Sequence, residues 1–493
     1  MAFAIAAMSL LSTVFLSSCR EERVKKGTTE GNLRISLPLS MPSFRSDVQD
    51  PMTTISKVSF LFFNGDNESS RIVEKRDELL ASTTKRDFSL QLTPANYFLL
   101  VVANATPEME NRMKIGATLK EVNADLCRIN MSHYQDPETM QCLLLNDQAL
   151  VPVTKEHFAD PKHERQIPPL VVNIEPCLAR FIVHDYPVIS ADLTNLAPDK
   201  YAFEVGVSEN YFTPIRRMHK LASGKMEARG DGSSAKDRYA MTAGAMLVEK
   251  MVAEKRNRND IINALLEDNV GEWPIRNKRG YAPPIQEWFD ASTSLQQKLA
   301  SKHSYKVETT APEGSQETFA YPFVCLIYRL IPKGFDLGND EGFATYRNKP
   351  FKESELRAML QAAAAGKKVT IPKGFDASME DDIKMVITNP LYKDLAIGFT
   401  VGDISYYQKA QSYYPIFIRH FSDEVAPELS SYGRYGIVRN NEYHLKISKI
   451  RKLGYATPVS FINDQHNVTE KKPVDYSISV EPIVVHDLQE MEF

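Results

Sequence analysis

The side chains that could do chemistry are few, and their spacing points away from catalysis. The chain has no Gly-x-Ser-x-Gly elbow, no His-Glu-x-x-His helix, no Walker phosphate loop and no Gly-x-Gly-x-x-Gly turn. Met379-Glu380-Asp381-Asp382 offers carboxylates to a calcium ion but lacks the alternate spacing of a ligand loop, so a solvated acidic turn is expected. His157 and His163 have no paired ligands at metal-site spacing and read as surface residues. Arg229-Gly230-Asp231 spells a tripeptide that cell-surface receptors bind, but so short a motif recurs by chance in a long chain. Trp273 and Trp288 could stack on a glycan, with core packing as the expected role of each. Neither an enzyme nor a cofactor or metal site is expected.

Two residues invite modification instead. Cys19 ends an N-terminal run that is almost wholly apolar from Ala2 to Phe15 and closes in Leu16-Ser17-Ser18. That run falls short of the ~20 apolar residues a membrane-spanning helix needs and has the length of a signal-peptide core. The Leu-Ser-Ser-Cys ending resembles a bacterial lipobox, whose cysteine takes lipid and anchors the chain without spanning the bilayer. The charged run Arg20-Glu21-Glu22-Arg23 follows at once. The second residue, Arg45, stands alone in a polar stretch that reads as a protease-accessible loop, with Ser46 next to it.

The elements around these residues give them meaning. Leu33, Ile35, Leu37, Leu39 and Met41 alternate with Arg34, Ser36, Pro38 and Ser40, the pattern of a half-buried strand placed just before the cleavable stretch. At the far end Tyr476, Ile478 and Val480 alternate with Ser477, Ser479 and Glu481, followed by Pro482 and Ile483. The polar segment 460–473 separates this strand from its predecessor, and no partner for it is evident in its own chain. Between the two lie Lys57–Asn67, Phe88–Leu92 and Tyr97–Asn104, the last two reading as a hairpin across Thr93–Asn96. Tyr97–Asn104 is apolar on both faces and reads as a central strand. Leu119, Val122, Leu126 and Ile129 have helical spacing, and Ser354–Gly366 is a capped helix. Val248–Asn269 reads as a helix broken near Arg258, and the repeated hexapeptide IPKGFD (331–336 and 371–376) as a reused strand-exit turn.

A chain of 493 residues suits two or three domains. The expected division is a signal peptide over 1–18, a propeptide with a removable strand over 19–45 and β-sandwich domains over 46–186 and 187–458. A linker (459–475) and a terminal strand (476–493) complete it. The net charge of −4 gives no basic field for nucleic acid. Cys127, Cys142, Cys177 and Cys325 show no CxxC spacing; buried free thiols are expected.

Loss of the first strand would leave a groove with unpaired backbone, which must find a new strand or aggregate. A free strand from an identical molecule fits by β-augmentation, and head-to-tail donation builds a filament. Five apolar side chains at roughly 1.5–3 kcal/mol each would supply on the order of 10 kcal/mol before ordering costs.

Five stretches resemble one family. GIVRNNEYHLKISKIRKLG (436–454) and SISVEPIVVHDLQEMEF (477–493) are similar to the C-terminus of the Bacteroidales type V fimbrillins, above all the major structural subunit of the minor (short) fimbriae. ISLPLSMPSFR (35–45) is similar to the segment before that branch's arginine processing site, EPCLARFIVHDYP (175–187) to its domain junction and YFLLVVANATP (97–107) to a central strand. The resemblance implies a mainly β chain of two transthyretin-like sandwiches with short helical insertions. It implies a surface fimbrial subunit exported as a lipoprotein, lipidated at Cys19 and cut at Arg45 by a gingipain-type protease. Strand donation would use Tyr476, Ile478, Val480, Pro482 and Ile483. Partners would be identical subunits head to tail, anchor and tip subunits, the protease, the outer membrane through lipid, and host or bacterial receptors. Two alternatives remain: a tip or anchor accessory subunit, and a glycan-binding surface lipoprotein.

Overall fold

The computed structural model describes residues 30–39, 50, 52–80, 86–126, 141–147, 150–159, 167–195, 201–206, 219–220, 226–227, 247, 250–257, 260–261, 264, 305–310, 323–418, 436–457 and 474–483. Ten strands build a first sandwich: β1 Gly31–Ser36, β2 Lys57–Phe63, β3 Ile72–Leu79, β4 Asp87–Leu92, β5 Tyr97–Ala103, β6 Leu144–Asn146, β7 Val151–Val153, β8 Phe158–Ala159, β9 Leu170–Val171 and β10 Ile174–Pro176. Helices α1 (Pro107–Arg112) and α2 (Leu119–Leu126) follow β5. One sheet runs β4-β1-β8 with β9 also on β1; the other runs β10-β6-β5-β2-β3 with β7 on β5.

Period-2 alternation sorts the side chains between the sheets. Leu33, Ile35, Phe88, Leu90, Leu92 and Phe158 of the first pack against Val58, Phe60, Phe62, Leu99 and Val101 of the second. The reverse face of the second sheet is also buried, since Leu61, Phe63, Leu100 and Val102 share a cluster with Met109 and Val122 of the helices. Hence β5 is apolar on both faces and lies inside its sheet. The expected hairpin of β4 and β5 is not formed. β4 pairs with β1 and β5 with β2, so Thr93–Asn96 carries the chain from one sheet to the other. A turn between sheets uses the same residue types as a turn within one.

The second unit runs through β11 Leu178–Ile189, β12 Leu193–Asn195, β13 Tyr201–Gly206, β14 His219–Lys220, β15 Met226–Glu227, β16 Tyr305–Val307, β17 Thr309–Thr310 and β18 Phe323–Pro332, and its sandwich is completed by strands near the C-terminus. β14 pairs with β15 as a separate ribbon. The chain leaves the first sandwich at Cys177, so the boundary expected at 186/187 falls within β11. This twelve-residue strand is parallel to a late strand over eight paired positions, and it belongs wholly to the second unit.

Between β18 and its neighbour the chain inserts a module whose extent the sequence did not show. It comprises β19 Phe343–Tyr346, β20 Lys349–Lys352, α3 Glu353–Ala364, α4 Met379–Val386, α5 Pro390–Lys393, β21 Phe399–Val401 and β22 Ile404–Tyr407. The sheet order is β20-β19-β22-β21, and Leu356, Leu360 and Ile383 of the helices cover it. Both IPKGFD copies make the same turn. Gly334 and Gly374 take φ of +88° and +93°, and Phe335 and Phe375 donate backbone N–H to Pro332 and Pro372, each at 3.2 Å. The left-handed φ is what glycine permits there. The two phenylalanines grip opposite ends of β19, Phe335 on Phe343 and Phe375 on Tyr346. Only the first copy leaves a strand.

The chain then returns through β23 Gln411–Phe417, β24 Gly436–Ile437, β25 Asn441–Ile450 and β26 Val474–Pro482. One sheet is β16-β11-β25-β26; in the facing one, β18 is flanked by β12 and β13 on one side and by β23 on the other. Their core holds Phe181 stacked on Tyr443 at 4.8 Å and Tyr328 edge-on to Tyr414 at 5.7 Å. β17 pairs with β24. The fold is mainly β, as expected. Of the described residues in Val248–Asn269, 250–253 are helical and end in a turn where Lys255 takes φ of 56°, and 260, 261 and 264 are helical again, on either side of the break expected near Arg258.

Candidate functional site

β1 is the inner strand of its sheet. Its six residues pair antiparallel with β4 from Gly31↔Leu92 to Ser36↔Asp87. The other edge is shared: Asn32 and Leu33 run antiparallel to β8, while Ile35 and Ser36 run parallel to β9. Leu33, Ile35 and Leu37 are fully buried, and Leu39 is half-buried against the same core. At roughly 1.5–3 kcal/mol each, the first three account for about 5–9 kcal/mol of burial. Lifting β1 out would leave a slot with Phe88, Leu90 and Leu92 on one wall, Phe158 on the other and Phe60 in its floor. Cys19, Met41, Arg45 and Ser46 lie outside the described residues, as do Cys127, His163, Trp273, Trp288 and 229–231.

The terminal strand has a partner in its own chain, which corrects the expectation that none exists. β26 pairs antiparallel with β25 from Ile450↔Val474 to Asn441↔Pro482. Tyr476 stands opposite Ile447, Ile478 opposite Leu445 and Val480 opposite Tyr443. Ser477 and Ser479 are exposed, whereas Ile478 and Val480 are half-buried against the sandwich core. Ile483 is fully buried and donates its N–H to Asn440 O at 2.8 Å. Arg451 clamps the start of the strand through Asp475 (Nη2–Oδ2, 2.7 Å). The physical reason is the long alternating edge of β25, which would otherwise stand open. At 477–480 the inward and outward faces are as the alternation has them, and among the described residues β26 pairs on one edge only.

Sequence reasoning missed a buried ionic chain beside these strands. Arg180 on β11 is 1% exposed, and its Nη1 reaches both carboxylate oxygens of Asp50 at 2.9 Å. Its Nε and Nη2 bind Glu442 on β25, itself 1% exposed. Glu442 Oε1 lies 2.9 Å from His444 Nε2, and His444 Nδ1 lies 2.9 Å from Nε2 of His184. A second pair joins Arg439 to Glu308 at 2.9 Å. Burial pushes the nearby Tyr305 phenol up to about 12, although the Arg180 charge draws it down. Charges so far from water persist only when paired. The one signal in the sequence was Arg180 inside the apolar run CLARFIV.

The remaining candidates are structural. Cys142, Cys177 and Cys325 are buried free thiols, and burial pushes Cys142 well up, away from reactive thiolate. Met379–Asp382 opens α4, and Asp382 accepts from Asp403 N at 3.0 Å. Among the described residues no His/Cys/Asp/Glu group is arranged for a metal. His157 Nδ1 accepts from Thr154 N at 2.9 Å, holding a short turn. No helix among them is long and apolar enough to cross a membrane.

Residues 405–489, which contain β23 to β26, match the family model described as major fimbrial subunit protein type IV, Fimbrillin, C-terminal. By this match the C-terminal segment, residues 405–489, is a fimbrillin segment. The model's description says type IV where the sequence motifs pointed to type V; fimbrillin is common to both. A fimbrilin of Porphyromonas gingivalis is similar over 93% of this chain and 99% of its own, at 14% identity and a TM-score of 0.44. A tip fimbrial protein of the same organism, with C-terminal truncation, covers 91% and 99% at 10% identity and 0.36. A fimbrial assembly protein of Parabacteroides distasonis covers 60% and 95% at 10% and 0.26. No curated protein matches the sequence. At these identities and scores the fold rests on its own sheets.

Proposed function

We propose that this protein is a fimbrillin and serves as a structural subunit of a surface fimbria. It would be exported as a precursor lipidated at Cys19, cut between Arg45 and Ser46, and polymerised by donation of its terminal strand. The observation that carries this reading is the position of β1. A strand that is internal to its sheet, fully buried at Leu33, Ile35 and Leu37, is joined to the rest by the stretch that holds Arg45. Cutting there frees an element whose loss leaves a ready slot for another strand.

Pairing of β26 in its own sheet adds a step to that scheme. The strand must peel from β25 before it can serve a neighbour, so the unassembled subunit holds its donor in reserve. The same pairing favours one second reading, a terminal or accessory subunit that keeps its strand at home. N-terminal sequencing of surface-extracted protein decides first: Ser46 is expected, and an intact lipidated Cys19 on assembled protein overturns the scheme. Cys19→Ala should lose incorporation of a palmitate analogue while both sandwiches still fold.

A further inference from the structure

Asp50 lies five residues past Arg45 and is held from every side. Its carboxylate takes Arg180 Nη1 on both oxygens at 2.9 Å, and Oδ1 also accepts from Met52 N at 2.9 Å. Its carbonyl accepts from Thr53 N and Thr54 N, both at 3.0 Å, and from Thr54 Oγ1 at 2.9 Å. The next residues are held by Asn104, whose φ of 58° turns its amide back across the end of β5. Its Oδ1 accepts from Ser56 N at 3.0 Å, and its Nδ2 donates to Thr54 O at 2.7 Å and to Cys142 O at 2.9 Å. Met52 and Ile55 are buried between these two fastenings.

None of these contacts involves β1, whose ladders end on β4, β8 and β9. The segment 50–56 is fastened instead to the second sandwich through Arg180 and Glu442, and to β5 through Asn104. It leads directly into β2, whose Val58, Phe60 and Phe62 form the floor beneath β1. A chain end created four residues upstream would ordinarily fray into the strand behind it. We infer that Asp50 is a positioning residue for the processed chain: its ion pair with Arg180 fixes the new N-terminal end, so that loss of β1 opens the slot and leaves β2 in place. The inference rests on the reading of β1 as the removed strand. Asp50 touches no incoming strand; it acts through β2.

The test compares the full-length wild type with Asp50→Asn, which keeps an acceptor for Met52 N but removes the charge. In the uncut protein, hydrogen exchange at the amides of Thr53, Thr54 and Ser56 should quicken at least tenfold, with the second sandwich unchanged. After cutting by an arginine-specific protease, a synthetic peptide of residues 31–41 should rebind wild type and bind Asp50→Asn at least tenfold more weakly. Arg180→Lys, which keeps the charge but loses the fork, should behave as Asp50→Asn does. Unchanged local exchange, or exchange raised uniformly through both sandwiches, overturns the positioning role, as does equal peptide affinity after cutting. Failure of cut wild type to rebind the peptide overturns the removable-strand reading instead, and the uncut exchange still judges Asp50.

Discussion

Tyr305 shows what burial does to a single residue in this core. Its phenol is raised to about 12, whereas an unfolded tyrosine titrates near about 10. A folded value above the unfolded one contributes stability that is complete below about pH 10 and lost as pH climbs toward 12, because the unfolded chain releases its proton first. Tyr406, Tyr407, Tyr413 and Tyr414 are shifted the same way, chiefly by burial. Denaturant midpoints should therefore fall as pH rises past about 10, with the phenolate absorbance of these buried tyrosines growing as the chain unfolds; a flat profile of midpoints would contradict it. The terminal strand gives a second residue-scale outcome. Ile478 turns toward the core and Ser479 toward solvent. Ile478→Asp should cost on the order of 2 kcal/mol in a monomer melt, and Ser479→Asp less than about 0.5 kcal/mol. Equal costs would mean that β26 does not hold this register.

At the scale of elements, the cis pairing of β26 changes what its deletion should do. Sequence reasoning, seeing no partner, implied that removing residues 475–493 would cost the monomer little. The structure instead gives the strand a long ladder on β25 and buries Ile483, so the truncated chain should melt lower and expose the β25 edge. Calorimetry and size exclusion at several concentrations should show a reduced midpoint and growing association. A truncated chain that melts with wild type and stays monomeric would mean that the strand is undocked in solution. What was legible in the sequence was periodicity within one segment: the faces of β1, the inward Ile478 and Val480 of β26, the central place of β5 and the Gly366 stop of α3, whose N-cap is Lys352 and not the expected Ser354. Pairing between segments was not. The linker before β26 hides a contact that no local pattern encodes, and the three- and four-residue strands of the inserted sheet are too short for a period of two to register. Arg180 meets Asp50 and Glu442 across 130 and 262 positions of chain, so only its odd place in an apolar run could hint at them.

At the scale of the molecule, the scheme requires two strands to move, and they belong to different sandwiches. In the proposed scheme β1 would leave the first when Arg45 is cut, and β26 would leave the second to fill the slot of a neighbour. Each departure exposes apolar surface and unpaired backbone, so neither state is stable alone, and head-to-tail donation satisfies both by extending a filament. The two movements can be separated by experiment. Arg45→Ala should keep β1 in place and leave the precursor monomeric even with its terminal strand intact. Lys446 and Ser477 face one another in register on the exposed side of β25 and β26. Cysteines at both positions, joined by a short reducible linker, would pin β26 at home without touching Arg45 or the slot. That protein should be cut at the normal rate and lose β1, yet form no detergent-resistant ladder until the linker is reduced. A pinned subunit that laddered as well as wild type would show that Tyr476, Ile478 and Val480 are not the donated residues. One that failed to ladder after reduction would place the defect in the substitutions, and a linker between Ser448 and Asp475 would then repeat the test from the other end of the strand.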